Sequence, residues 1–366
     1  MDAGAWAFTE FWGNSLGGLR LQRRLVDVAA CIRGNPRGTL PQAVGDSTAL
    51  KAAYRLLSNP KVTHEKLLQT HIEATRERCR VAGEYLMIED STALSFTQRA
   101  SVKGMGPLTH ETSQGFLAHT CLATHITRWD DENEPEVMLA GVFGQACWAR
   151  ERPQGTRKER KKTQRAQKRA GDPGESARWA RAMANAGPMP AGVRWTLVAD
   201  RECDIFGVLL ACCAGNHDWV IRAARPRRTT SASGDVFATA ATAPVLGRFD
   251  LKLRARPGVA ARQAHLEVRA VTTGIVAPRD LPGQHAPQAS QLVEVRELDP
   301  PPDVPALHWV LLTSWPCDTF AQARRVVGAY QPVAEVSVRV SGLQKCRKTV
   351  WRSLQPKDLC CRLKVV

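Results

Sequence analysis

Apolar positions recur at three- and four-residue spacing through the first 80 residues and at continuous or alternate spacing beyond them. That change of period predicts a helical opening followed by a mixed α/β body. Between Phe11 and Ile32, Leu21, Leu25, Val28, Ala29 and Ile32 line one side of a helix, with Arg20, Arg23 and Arg24 on the other. The run from Arg33 to Gly38 breaks it. Ser47 or Thr48 is placed to cap a second helix through Leu57, which Asn59-Pro60 ends; Thr63 opens a third, over Glu65 to Arg80.

From Tyr85 the pattern turns to strands. Tyr85 to Asp90 is a short apolar run ending in acid, and with Ser91 to Phe96 it reads as strand, turn, strand. His119 to Ile126 and Glu136 to Phe143 are further strands, giving an antiparallel set of three on one side of a mixed sheet. A helix is expected from Glu175 to Ala186 and a buried strand from Trp195 to Asp200. An amphipathic helix over Cys203 to Ala211 and a strand over Trp219 to Ala224 follow. Residues 150–170 carry no apolar periodicity and read as a basic loop.

Composition narrows the class. With 43% hydrophobic and 23% charged residues the chain is an ordinary globular one, and its longest run without a polar residue, Ile205 to Ala214, is far short of a membrane span. No basic and apolar leader opens it, and its 11 cysteines form no CxxC pair, so a reducing, cytoplasmic setting is expected. The formal charge of +16 is concentrated: residues 1–80 carry +5, 150–170 carry +8 and 331–366 carry +6. Basic blocks on a near-neutral body point to a polyanion partner, because each neutralised phosphate releases counterions.

Two apolar strands that each end on aspartate, at Asp90 and Asp200, are the most chemical feature. A carboxylate at the carboxyl end of a central strand is held rigidly at the crevice where such sheets bind ligands. Two or three together can bind a pair of Mg²⁺ (or Mn²⁺) ions for phosphodiester chemistry. Taken singly, each aspartate reads equally well as the cap of the next turn.

Five ordered segments then carry a resemblance. They are Gly18 to Ala29, Ala53 to Val62, Ile88 to Phe96, Val198 to Ile205, and His308 to Tyr330. In them the chain resembles the DDE-class cut-and-paste transposases of bacterial insertion sequences, in the transposon-five-like branch. The resemblance implies an α/β fold: an RNase-H-like mixed sheet with an inserted β-rich subdomain, preceded by a small helical DNA-binding domain. Residues 1–80 would bind transposon-end double-stranded DNA, with Arg20, Arg23, Arg24 and Arg55 meeting phosphates. Residues 81–224 would open the catalytic core, 225–305 would be the β-rich insertion, and 306–330 the return to the core.

Asp90 and Asp200 match the family's two aspartates, catalytic and metal-binding. Arg222 matches a position close to DNA, and Arg225, Arg227 and Arg228 extend the basic rim. Trp309 matches the position whose ring stacks on a flipped base, and Tyr330 matches the family tyrosine. Beyond Tyr330 the pattern is lost: Val333 stands where the family has arginine and Ser337 where it has the catalytic glutamate, while Glu335 lies two residues early. A frameshift near Gln331–Pro332, leaving 331–366 as an aberrant basic tail, is the simplest account; real divergence with Glu335 as the acid is the other. The resemblance implies a homodimer, although the family's C-terminal helical dimerisation region has no counterpart before Val366. The function expected is DNA transposition by Mg-dependent phosphodiester hydrolysis and strand transfer, or else an inactive remnant that only binds transposon ends.

Overall fold

The computed structural model describes residues 1–332 apart from 98–103, 109–112, 152–173, 254, 256–259, 280 and 282. The basic loop from Arg152 onward and the tail, with Val333, Glu335 and Ser337, therefore lie outside the described residues.

Five helices open the chain: α1 (Ala3–Phe11), α2 (Leu19–Gly34), α3 (Leu40–Val44), α4 (Ser47–Leu57) and α5 (His64–Arg78). They close around Phe11, Leu16, Leu25, Val28, Leu56 and Leu67. The helix expected from Phe11 to Ile32 begins only at Leu19, and Phe11 is the last residue of α1. Gly13 and Gly17 sit at φ 84° and 85°, in the left-handed region that favours glycine, and turn the chain between them. Asp46, not Ser47 or Thr48, caps α4, its Oδ2 accepting the Ala49 N–H at 2.5 Å. Thr63 caps α5 as the sequence suggested.

The remainder is built on one mixed sheet. Its strands are β1 (Gly83–Ser95), β2 (Gly106–Pro107), β3 (Gln114–Trp129), β4 (Pro135–Trp148), β5 (Val193–Ala199), β6 (Asp218–Arg222), β7 (Val245–Leu253), β8 (Arg262–Ile275), β9 (Gln288–Glu297) and β10 (His308–Thr313). The order is β2-β3-β1-β5-β6-β10-β9-β8-β7, with β4 also on β3. β1, β3 and β4 are antiparallel, as expected, and β5 and β6 run parallel to β1.

Two expectations change. Tyr85 to Phe96 is not strand, turn, strand: Glu84 to Ser95 pairs without a break against Ile126 to Gly115 of β3, and the cross-strand ladder carries β1 straight through Asp90. The helix expected at Cys203 to Ala211 lies at Phe206–Ala214 and buries Phe206, Val208, Leu209 and Cys212, so it is apolar rather than amphipathic. Residues 225–305 supply β7, β8 and β9, and β10 hydrogen-bonds to β6 on one edge and β9 on the other, extending the same sheet.

Alternation along the strands sorts the two faces. Leu86 and Ile88 of β1, Val198 of β5, Val220 of β6 and Leu311 of β10 pack against a helix over residues 320–332 through Ala323, Val326, Val327 and Tyr330. On the other face, Leu197, Ala199, Ile221 and Val310 meet the helix Phe206–Ala214. The helix Arg178–Ala186 covers Tyr85, Met87, Cys121 and Trp195 on that face.

The helical unit is bolted to the sheet through a buried acid. Glu10 of α1 is only 6% exposed. It accepts from Arg78 Nη1 at 2.9 Å and Nη2 at 3.1 Å, and from His71 Nδ1 at 2.6 Å. The Val142 N–H donates to His71 Nε2 at 3.0 Å, which leaves the neutral ring's proton on Nδ1, facing Glu10. Arg78 Nε donates to the Ala140 carbonyl at 2.9 Å and Arg76 Nε to that of Phe143 at 3.3 Å. Side chains of α5 thus satisfy the outer backbone of the edge strand β4. Burial pushes the Glu10 carboxyl up, but the bonds from His71 and Arg78 outweigh it and hold it below the usual range.

Glu10→Ala strands Arg78 and His71 without their acid. Denaturant titration at pH 7 is expected to show a loss of about 2–4 kcal/mol. Because the folded carboxyl titrates below the unfolded one, its contribution is complete above about pH 5 and fades as pH falls through the lowered value, so the deficit should shrink in acid. A deficit under about 0.5 kcal/mol would remove the acid from the joint.

Candidate functional site

Register builds the site. β1 and β5 pair in parallel from Gly83 opposite Val193 to Glu89 opposite Ala199, so the next residue on each strand is Asp90 and Asp200. β5 pairs in parallel with β6 up to Ala199 opposite Ile221, so Arg222 follows beside Asp200. Neighbouring strands lie about 4.8 Å apart, and Asp90, Asp200 and Arg222 form one row across three strands. Asp90 shares the face of Leu86 and Ile88, and Arg222 that of Val220, the face covered by the helix over 320–332. β5 ends at this row, whereas β1 and its partner β3 continue beyond it and raise a wall beside the acids.

The two aspartates differ in local role. Asp200 does cap a turn: its Oδ1 accepts the Glu202 N–H at 2.9 Å and opens the 3-10 helix Arg201–Cys203. Asp90 caps nothing, because β1 runs on; its Oδ1 accepts the N–H of Ser91 at 2.9 Å. Both are partly exposed. Glu202, two residues past Asp200, has its carboxyl pushed up by burial and by Asp200, against the pull of Arg150 and His119.

Beside the row stand several of the expected DNA residues. Arg222 Nη2 donates to the His308 carbonyl at 2.9 Å. Tyr330 is buried, which pushes its hydroxyl up against the opposing Arg222 cation. Its ring meets that of Trp309 edge-on, centroids 5.2 Å apart at 69°. Trp309 is 7% exposed, so the ring is enclosed by Tyr330 and the neighbouring core.

Arg225 and Arg228 are exposed at the rim, but Arg227 is not free to join them. Its guanidinium is engaged by Asp204, a residue 3% exposed that also accepts the N–H groups of Ala224 at 2.8 Å and Arg225 at 3.1 Å. Arg227 therefore shapes the loop after β6 and is removed from the list of available cations. On α2, Arg20 and Arg23 are exposed and Arg24 is half-buried, 3.7 Å from Asp27. Arg55 is exposed on α4, one turn from the equally exposed Lys51.

Residues 3–62 match the transposase DNA-binding family. The match spans α1 to α4 and holds Arg20, Arg23, Arg24 and Arg55, which supports a transposase that contacts DNA through these helices. No helix among the described residues is long and apolar enough to cross a membrane.

Asp90 and Asp200 supply hard oxygen donors from adjacent strands, the donor set of Mg²⁺, which is held through one or two carboxylates and keeps several waters. Among the described residues no group of three or more His, Cys, Asp or Glu is placed to hold a metal.

A second charged group escaped the sequence reading. Directly behind Asp90, on the opposite face, Ser91 Oγ lies 2.9 Å from His119 Nδ1, and His119 Nε2 lies 3.1 Å from Glu89 Oε2. Glu89 is fully buried, and burial pushes its carboxyl up against the opposing His119. The edge of Trp179 seals His119 at 4.6 Å. Period-two alternation puts Glu89 opposite Asp90 in facing; the continuous apolar run before them hid that signal.

Asp204→Ala removes the acceptor of two backbone N–H groups and the partner of a buried guanidinium. A loss of about 3 kcal/mol is expected, with faster hydrogen exchange at the Ala224 and Arg225 amides. Unchanged protection of those two amides would show that Asp204 does not hold the loop.

Proposed function

We propose that this chain is a DDE-class DNA transposase of the transposon-five-like branch, which binds element ends through its N-terminal helices and carries phosphodiester chemistry at Asp90 and Asp200. The observation that carries the reading is the shared register: a parallel pairing sets two aspartates and an arginine side by side, in a chain whose first helices match a transposase DNA-binding family. An RNase-H-like description of the core is supported by three antiparallel strands followed by two parallel ones, with the acids side by side on two adjacent parallel strands.

In this reading Asp90 and Asp200 hold Mg²⁺ (or Mn²⁺). When bound, the ion supplies charge neutralisation at the phosphate and an activated water or 3′-hydroxyl. The protein's share is positional. The hydrogen-bonded strands fix where the carboxylates stand, and the Ser91 and Glu202 N–H groups fix one oxygen on each. Arg222, next in the row, offers its remaining donors to a phosphate oxygen. Exposed Arg20, Arg23 and Arg55 bind duplex backbone and set its orientation rather than its sequence.

The second reading is a chain that binds ends without cutting them. It is favoured by the sequence after Tyr330, where Ser337 occupies the place of the family's glutamate.

End-containing duplex incubated with Mg²⁺ tests both. The 366-residue chain is expected to shift the duplex and leave it uncut, and a protein with the alternate frame restored after residue 331 is expected to cut it. In that restored protein Asp90→Ala and Asp200→Ala should each lower cleavage at least a hundredfold while binding stays within about twofold. Equal loss of binding and cleavage would refute the assignment of the aspartates. Mg²⁺-dependent cleavage by the 366-residue chain that disappears in Glu335→Gln would make Glu335 the third acid.

A further inference from the structure

Across the wall from the acidic row, on the face of His119, an arginine lies flat on a tryptophan. The Arg178 guanidinium carbon is 3.5 Å from the centroid of the Trp148 ring. The nearest acid is already taken. Glu175 Oε1 accepts from Trp148 Nε1 at 2.9 Å and Arg150 Nε at 2.8 Å, and its Oε2 accepts from Arg150 Nη2 at 2.7 Å. Among the described residues Arg178 makes no ion pair with a carboxylate, and its buried Nη1 has no hydrogen-bond partner.

Burial disfavours the charge on Arg178, and Arg150 and the exposed Arg181 oppose it, so among the described residues three cations surround the one carboxylate of Glu175. The excess of positive charge selects an anion. A planar guanidinium held against a ring presents its fork in a fixed plane, the geometry that binds phosphate through two parallel hydrogen bonds.

Register gives the distance. Gln145 of β4 pairs with Thr120 of β3, which pairs with Asp90, so Trp148 lies three residues beyond the acidic row along the strand. That is about 10 Å along the strand and about 10 Å more across two strands, so the two places lie at least about 14 Å apart, on opposite faces of the sheet.

We propose that Arg178, clamped on Trp148 and flanked by Arg150 and Arg181, binds a backbone phosphate of the DNA at least about four nucleotides from the phosphate at Asp90 and Asp200. The proposal rests on the DNA-processing reading above and adds a contact outside the N-terminal helices, on a face where no DNA residue was expected.

The test is equilibrium binding of the full chain to a 30-base-pair duplex of mixed sequence at several salt concentrations. Arg178→Gln is expected to weaken binding about three- to tenfold and to lower the slope of log affinity against log salt by about 1. Arg178→Lys keeps the charge but not the fork, so it should keep the slope and bind more weakly than the parent. Trp148→Leu removes the platform without touching charge and should likewise weaken affinity at unchanged slope. Arg23→Ala on α2 runs alongside.

If Arg23→Ala weakens binding while Arg178→Gln changes neither affinity nor slope, the proposal is overturned and the DNA reading stands. If neither variant matters, the DNA reading falls with it. Thermal unfolding checks each variant, and should Arg178→Gln fail to fold, parent-like affinity in both Arg178→Lys and Trp148→Leu overturns the proposal.

Discussion

A slip of one residue between β1 and β5 would turn Asp90 to the other face of the sheet and leave Asp200 without its neighbour. Parallel strands have a side-chain period of two, so register and facing are a single variable. Here it is fixed on both sides. Met87 and Leu197 point into one core, Ile88 and Val198 into the other, and a slip would exchange them wholesale. Burial on both faces therefore holds two carboxylates together that would repel each other if left to themselves. Such a pair suits cation binding, because the repulsion is already met by packing when the ion arrives.

The periphery is held differently. Where helices and loops join the sheet, the contacts are buried charges with several bonds each: Glu10 under α5, Asp204 under the loop after β6, and Glu297 engaged by Arg262 and the Leu307 N–H. Each such acid is costly to desolvate and is stable only with its full set of donors. The trade is direction. Apolar packing tolerates small rotations, whereas a carboxylate bonded to two amides and a guanidinium does not.

Much of the architecture could be read from the chain because its signals are local. Period identified the helices, and apolar runs bounded by polar breaks identified β3, β4, β5 and β6. Errors arose where a distant partner decides. Asp90 looked like a strand end because aspartate disfavours strands, yet β3 supplies a continuous ladder and β1 runs on. Arg227 looked like a rim cation because its partner Asp204 lies in another element. The continuity of the sheet from β6 to β7 was invisible, since the linking strand, β10, is the last of the described strands. Trp148 and Arg178 belong to segments on either side of a long basic stretch, so no spacing rule would join them.

The joint at Glu10 has one more meaning. Gly141 of β4 lies so near α5 that a Cβ there would stand 2.3 Å from Thr75 Oγ1, and its φ of 142° admits no ordinary side chain at ease. Helix and strand touch backbone to side chain, with no layer between them to compress. A unit seated that tightly cannot swing on its linker while it reads DNA. The span from α2 and α4 to the row of Asp90 and Asp200 then becomes a constant of the protein, as fixed as a gauge block.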